Sequence, residues 1–294
     1  MAEATPSLIP VEHFFENPEK AGGQISPDGK RLSYLAPEEN RLNVWVRTIG
    51  RDDDVCVTHE HVRGISGYFW SRDSTRILYV QDDGGDENFH VLAAEVASPD
   101  QPSTDLTPFP GVRAQLVDVP HGDPDHLLVS LNKRDPAAFD VYRLTITTSE
   151  LELVAENPGN IGSWITDVGG RLLAAVTQTP TGDNGVLVRA EESEEFRSLR
   201  EFANEDDVNV FGFTPDGTAL FVGTAEGSDL SRLCTLDVTT AELTVLDADD
   251  EADLGRPFLD DVTGELLGVV YLRDRLVFHP VDDTFADVWA KVDA

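Results

Sequence analysis

One arrangement of apolar and polar positions recurs along the chain: an apolar residue, a tight polar turn, and then a strand in which apolar and polar residues alternate. Its clearest copies are QISPDGKRLSYL (24–35) and FGFTPDGTALFVG (211–223). Proline presets the backbone at the second position of such a turn, the Ser or Thr before it bonds the backbone, and Asp-Gly completes the reversal. Each copy therefore predicts two antiparallel strands joined by a short turn.

Four weaker copies follow the same design. They are YFWSRDSTRILYV (68–80), HGDPDHLLVSL (121–131), ITDVGGRLLAAV (165–176) and FLDDVTGELLGVVYL (258–272). The six turns are centred near residues 27, 72, 123, 168, 215 and 262, so successive turns lie 45 to 51 residues apart. Each pair of strands is followed by a third strand and, after a short polar turn, by a fourth, as in FDVYRLTI and ELELVA. Four antiparallel strands at a period of roughly 40–50 residues are typical of a β-propeller blade.

The repeat predicts an all-β protein, a β-propeller of about six four-stranded blades in a complete or incomplete ring. A β-sandwich is the alternative. The expected single domain has an N-terminal lead-in over residues 1–22 and blades over about 23–60, 61–110, 111–158, 159–204, 205–250 and 251–294. Short helices are expected near both ends, and Phe285, Val288 and Trp289 would share one face of the C-terminal helix. The stretch EESEEFRSLREF favours either a third helix or a polar strand pair with a long loop.

Charge is the unusual part of the composition. Asp and Glu number 55 against 22 Lys and Arg, a formal net charge of −33, and the acids are spread along the whole chain. Such self-repulsion destabilises a compact state unless salt screens it. The pattern resembles halophilic proteins from cells that accumulate salt. It argues against nucleic acid or an anionic membrane as partner, because those surfaces require clustered cations.

The chain shows no sign of export. MAEATPSLIPVEHFF lacks a basic region and a long apolar region, and the longest apolar run is LLGVVYL (266–272). Cys56 and Cys234 are too few for a secreted disulfide framework. We therefore expect a cytoplasmic protein.

Two stretches resemble a known family. Residues 8–46, LIPVEHFFENPEKAGGQISPDGKRLSYLAPEENRLNVWV, are similar to the opening of cytosolic prolyl oligopeptidase family peptidases, in the acylaminoacyl-peptidase and dipeptidyl-aminopeptidase-like branch. GYFWSRDSTRILYVQDDGGDENFHVLAAEV (67–96) is similar to a second blade of that branch. Single units also resemble TolB-like propeller repeats. The family resemblance implies an N-terminal propeller followed by an α/β-hydrolase domain that carries a Ser-Asp-His triad.

The sequence departs from that pattern in its chemistry. It has no G-x-S-x-G nucleophile motif, since GISG (64–67) has the wrong spacing, so no catalytic residue is carried over. We expect the non-catalytic gating and substrate-docking propeller of such a peptidase, inactive alone, whose partner is a peptide substrate or a separately encoded α/β-hydrolase domain. Oligomers are compatible with this expectation. The alternatives are a stand-alone TolB-like propeller that binds peptide or protein, and an enzyme with its site inside the ring.

Two short stretches offer candidate site residues. In QDDGGDENFH (81–90), Asp86, Glu87 and Asn88 are predicted to have a structural or peptide-facing role, and the carboxylates could grip a cationic peptide amino terminus. The spacing does not fit a calcium loop. In THEH, His59 and His61 would alternate onto one strand face, but surface polar residues are the commoner meaning of such a pair. No metal or cofactor is therefore expected.

Overall fold

The computed structural model describes residues 9–292, with Glu12 described by its backbone only, and this range is almost entirely β-structure. Its strands form six antiparallel sheets, each built from strands consecutive in sequence. Five sheets have four strands and the sixth, within the described range, has three. The predicted fold class, an all-β propeller of about six blades, is confirmed.

The strands follow the predicted repeat. Sheet 1 contains β1 (Ala21–Ile25), β2 (Arg31–Glu38), β3 (Arg41–Thr48) and β4 (Val55–Cys56). Sheet 2 contains β5 (Tyr68–Trp70), β6 (Arg76–Gln81), β7 (His90–Glu95) and β8 (Thr104–Asp105). Sheet 3 contains β9 (Ala114–Asp118), β10 (His126–Asp135), β11 (Ala138–Thr145) and β12 (Leu151–Ala155).

The remaining three sheets continue in the same order. Sheet 4 contains β13 (Ile161–Thr166), β14 (Leu172–Gln178), β15 (Asn184–Val188) and β16 (Arg197–Phe202). Sheet 5 contains β17 (Asn209–Phe213), β18 (Ala219–Thr224), β19 (Arg232–Asp237) and β20 (Leu243–Asp247). Sheet 6 contains β21 (Leu254–Leu259), β22 (Leu266–Leu272) and β23 (Leu276–Pro280).

The described chain divides into two compact units. The first comprises residues up to Gln115 together with Ile146–Ser149, and it contains sheets 1 and 2. The second comprises Leu116–Thr145 and the chain from Glu150 onward. No helix within residues 9–292 is long and apolar enough to cross a membrane.

The repeated turn is held by its own side chains. In the first copy the Ser26 hydroxyl donates to Asp28 at 2.7 Å, and Asp28 also accepts the Lys30 amide at 3.1 Å. Gly29 has a φ of 71°, which a residue without Cβ adopts at little cost. The copy in sheet 5 repeats the contact, because Thr214 donates to Asp216 at 2.7 Å. The reversal is therefore encoded locally in each module.

Apolar residues are buried between successive sheets of the same unit. In the first unit Leu35 and Val44 of sheet 1 pack in one cluster with Trp70, Ile77 and Tyr79 of sheet 2. In the second unit, Phe221 and Leu233 of sheet 5 pack with Val269 and Tyr271 of sheet 6. Within each unit these successive modules thus bury apolar side chains against one another, as propeller packing requires.

The expected helices are only partly present. The N-terminal one is a single 3-10 turn, Val11–Phe14, whereas α1 (Asp283–Val292) is a regular helix. Trp289 of α1 stacks on Phe278 of sheet 6, with ring centroids 4.3 Å apart. The predicted positions 285, 288 and 289 fall on one face of this helix, and Val288 on that face is 47% exposed. EESEEFRSLREF forms a loop followed by β16, rather than a helix.

Candidate functional site

Carboxylates gather in two adjoining cavities at one end of sheet 2. Each cavity has a volume of about 440 Å³, and the two share Glu60 and Leu92 in their linings. We call the combined feature the acidic groove and define it by its charged and titratable residues. These are Glu60, Asp82, Asp83, Asp86, Asp100, Asp105, His59, His61 and His90. A larger cavity of about 820 Å³ beside the N-terminal lead-in has only Glu16 and Arg41 as charged lining residues, so it gathers no comparable charge.

The predicted site residues lie on the turn that joins β6 to β7. Asp86 and Asn88 line the groove, whereas the side chain of Glu87 is exposed outside its lining. Asp86 accepts hydrogen bonds from the Asn88 backbone amide at 3.0 Å and from its side-chain amide at 2.9 Å. These two bonds lower the pKa of Asp86. Asp86 is therefore ionised and fixed in direction at neutral pH.

Asp82, which directly follows β6, holds the same turn through hydrogen bonds. Its carboxylate is buried, pairs with Arg63 Nη1 at 2.8 Å, and accepts the Glu87 amide at 3.2 Å. Glu87 itself has a φ of 61°, in the left-handed region that a non-glycine residue rarely adopts. Asp82 thus has a structural role in holding the loop, while Asp83 and Asp86 present their carboxylates to solvent.

Hydrogen bonds also hold two other carboxylates that line the groove, those of Glu60 and Asp105. Tyr79, which is fully buried, donates from its hydroxyl to Glu60 at 2.7 Å, and burial raises the pKa of this tyrosine. His90 Nδ1 lies 2.6 Å from Asp105. Both carboxylates are therefore held in place by neighbours on sheet 2.

His59 and His61 do not share a strand face as the alternation predicted. They lie in the irregular link between β4 and β5, where a strand does not form. His59 Nδ1 lies 2.8 Å from Glu38 and Nε2 lies 2.9 Å from the Pro99 carbonyl. His61 is largely exposed beside Glu39, at 3.7 Å. The two histidines therefore have separate partners.

Sequence reasoning missed a different grouping around His59. One of its ring nitrogens, the Cys56 sulfur and a Glu38 carboxylate oxygen all lie within 4.8 Å of one another. Burial, followed by the charge of Glu38, raises the pKa of the Cys56 thiol to about 12. The hydrogen bond to Glu38 raises the pKa of His59. The C-x-x-H spacing of Cys56 and His59 was the one signal in the sequence, whereas Glu38 comes from a strand 18 residues earlier.

The groove has the chemistry of a cation receptor. Carboxylates fixed by hydrogen bonds attract an ammonium or guanidinium group without having to reorganise. Exposed ion pairs of this kind contribute only about 0.2–1 kcal/mol each, so such carboxylates suit orientation of a cation better than tight binding. A peptide amino terminus carries such a cation.

Comparisons with known proteins find sequence relatives among dipeptidyl peptidases and solved structures with the same fold. The chain is 34% identical over 273 residues to dipeptidyl aminopeptidase BIII of Pseudoxanthomonas mexicana, a match that covers 91% of this chain and 39% of that protein. The chain therefore spans about two fifths of the length of this relative. No protein-family profile matches it.

Two solved structures share the fold at low sequence identity. A prolyl endopeptidase, one of two studied for the role of inter-domain dynamics in catalysis and specificity, aligns with a TM-score of 0.68 at 14% identity, covering 91% of this chain and 42% of that one. The β-propeller domain of the Trilobed protease from Pyrococcus furiosus, described as having an open velcro topology, aligns with a TM-score of 0.57 at 15% identity, covering 90% and 82%. The chain belongs to the prolyl oligopeptidase family, in which it corresponds to the β-propeller, and its sequence is similar to that of a dipeptidyl aminopeptidase.

Proposed function

We propose that this chain is the substrate-docking and gating propeller of a peptidase that removes residues from the amino end of short peptides. Peptide-bond cleavage would be the work of an α/β-hydrolase domain that lies outside the described residues, on the same or a separate polypeptide. The observation that carries the proposal is the acidic groove, which offers fixed carboxylates to a cationic amino terminus. The sequence relative supports it, because its name describes an aminopeptidase.

Asp83 and Asp86 are the residues that would meet the peptide. Both are exposed, both line the groove, and Asp86 is oriented by Asn88. Asn88 is thus a positioning residue, and Glu87 contributes the backbone amide that closes the turn on Asp82. The gating role follows from the family resemblance, whereas the docking role rests on this geometry.

A chimera tests the proposal. The matched region of dipeptidyl aminopeptidase BIII would be replaced by this chain, and release of dipeptides from short chromogenic substrates would be measured together with cleavage of a folded protein. We expect turnover of the short substrate, no cleavage of the folded protein, and no turnover by this chain alone. A folded chimera that is inactive on short substrates would refute docking, and one that degrades folded protein would refute gating.

A further inference from the structure

Three different ligand types converge where sheet 1 runs into the link toward sheet 2. Glu38 is the last residue of β2, Cys56 is the last residue of β4, and His59 lies three residues further on. Their candidate ligand atoms lie within 4.8 Å of one another, with His59 Nδ1 at 2.8 Å from Glu38. The grouping is neither a cluster of acids nor an isolated cysteine, because it joins sulfur, nitrogen and oxygen donors at one point.

The second nitrogen of His59 is held in the way that metal-bound histidines are held. Nε2 lies 2.9 Å from the Pro99 carbonyl, which accepts only, so Nε2 carries the hydrogen. Nδ1 lies 2.8 Å from a Glu38 carboxylate oxygen, which also accepts only, so this nitrogen carries a proton in the metal-free site, and metal binding would displace that proton to solvent. A carbonyl on the far nitrogen fixes the tautomer and the ring orientation of a metal ligand.

The thiol of Cys56 is shielded from solvent and faces the other two candidate ligands. Cys56 is 8% exposed, and its thiol lies 3.1 Å from the Thr58 carbonyl, to which it donates. The backbone between Cys56 and His59 therefore already forms the short loop that brings a C-x-x-H pair to one side. Coordination would replace the thiol proton, which leaves to solvent, by a metal–sulfur bond.

We propose that Glu38, Cys56 and His59 form a site for Zn²⁺, with water as the fourth ligand. One thiolate, one imidazole and one carboxylate suit Zn²⁺ and not the hard cations Ca²⁺ or Mg²⁺. Tetrahedral Zn²⁺ separates its ligand atoms by about 3.3–3.8 Å, so the cluster needs shifts of about 1 Å or less. His59 also lines the cavity of about 440 Å³ that would supply the water. The site adjoins the acidic groove through His59, but the proposal does not rest on the peptide-docking role, which is assigned to Asp83 and Asp86.

Cobalt titration of the whole chain, stripped of metal and kept reduced, tests the site. We expect one Co²⁺ per chain with a thiolate-to-cobalt charge-transfer band and the intense visible bands of four-coordinate cobalt, and competition by Zn²⁺. Cys56→Ser should abolish the charge-transfer band, and His59→Gln and Glu38→Gln should each weaken binding by at least the roughly 10- to 100-fold that loss of a residue hydrogen-bonded to a ligand costs. Cys234→Ser and His61→Gln are the matched controls, because Cys234 lies in sheet 5 and His61 pairs with Glu39.

The outcomes distinguish Co²⁺ bound at the proposed site from Co²⁺ bound nonspecifically by surface carboxylates. Cobalt that binds without a sulfur signature, or a band that survives Cys56→Ser, would overturn the proposal, as would loss of the band in Cys234→Ser. Should Cys56→Ser fail to fold, X-ray absorption at the zinc edge of the wild-type chain decides the question. One sulfur and three nitrogen or oxygen neighbours support the site, and their absence rejects it.

Discussion

The indole Nε1 of Trp70 donates a hydrogen bond of 2.8 Å to the hydroxyl of Ser33, which belongs to the preceding sheet. Ser33 is fully buried, and it also lies 2.9 Å from the Tyr68 hydroxyl. A single small polar residue on β2 thus satisfies two aromatic side chains of β5. The contact joins consecutive modules within the first unit.

Replacing Ser33 by Ala should destabilise the chain by about 1–3 kcal/mol, because the buried Trp70 nitrogen would lose its acceptor. The free energy of unfolding, measured by denaturant titration at fixed high salt, checks this. Ser198→Ala, an exposed serine on β16, is the control and should change stability by less than about 0.5 kcal/mol. Equal effects of the two substitutions would show that the buried hydroxyl is not important.

The repeated turn gives a prediction about acid. Hydrogen bonds from the Ser26 hydroxyl and the Lys30 amide lower the pKa of Asp28 from 3.8 to about 2. Because the folded-state pKa is depressed, the stability that Asp28 contributes is fully present above about pH 4 and is lost as the pH falls toward 2. Carboxyl NMR titration should show the low pKa in the wild type and a value closer to 3.8 in Ser26→Ala. An unchanged pKa in that variant would contradict the assigned cause.

The formal net charge of −33 gives a prediction about salt. Raising KCl from about 0.1 M to about 2 M shortens the Debye length from about 10 Å to 2–3 Å, which screens the repulsion among carboxylates. The thermal midpoint should therefore rise steeply with KCl. Sucrose at matched osmolality is the control and should raise the midpoint much less. A midpoint that is as high in dilute buffer as in concentrated salt would contradict the expectation of a halophilic protein.

The sequence reveals the modules because their signals are local. The turn at Ser26 and Asp28 and the strand after it depend on neighbours within a few residues, so spacing alone locates them. Contacts between distant stretches of the chain have no such signal. The bond from Trp70 to Ser33 joins two modules, and the approach of Glu38 to Cys56 joins two strands of sheet 1, and both arise only when the strands align. The same limit applies to the THEH stretch, since a local alternation predicted a strand where the chain instead forms an irregular link.

At the C-terminal end the sequence predicted the helix and its apolar face, but not how far each residue of that face is buried. The periodicity predicts α1, and Phe285 packs on Phe258 with ring centroids 5.3 Å apart, as an apolar face should. Val288 lies on the same face of the helix but is 47% exposed. How far each residue on the apolar face of a helix is buried depends on the surface against which the helix packs, and the periodicity of the helix does not describe that surface.

If the acidic groove docks peptides through their amino terminus, the chain should bind peptides with a free amino terminus more tightly than blocked ones. The affinity of this chain for a short peptide with a free amino terminus would be compared with that for the same peptide acetylated, in moderate salt, by isothermal titration calorimetry. Acetylation should weaken binding by about 5-fold or more, corresponding to the loss of about 1 kcal/mol of ionic interaction.

The groove itself is tested in the same assay. Asp83→Asn with Asp86→Asn should remove the preference for the free amino terminus, whereas Asp229→Asn with Asp274→Asn, an equal charge change at exposed positions outside the groove, should keep it. Equal affinity of the wild-type chain for free and acetylated peptides, or a preference that survives the loss of Asp83 and Asp86, would contradict the account.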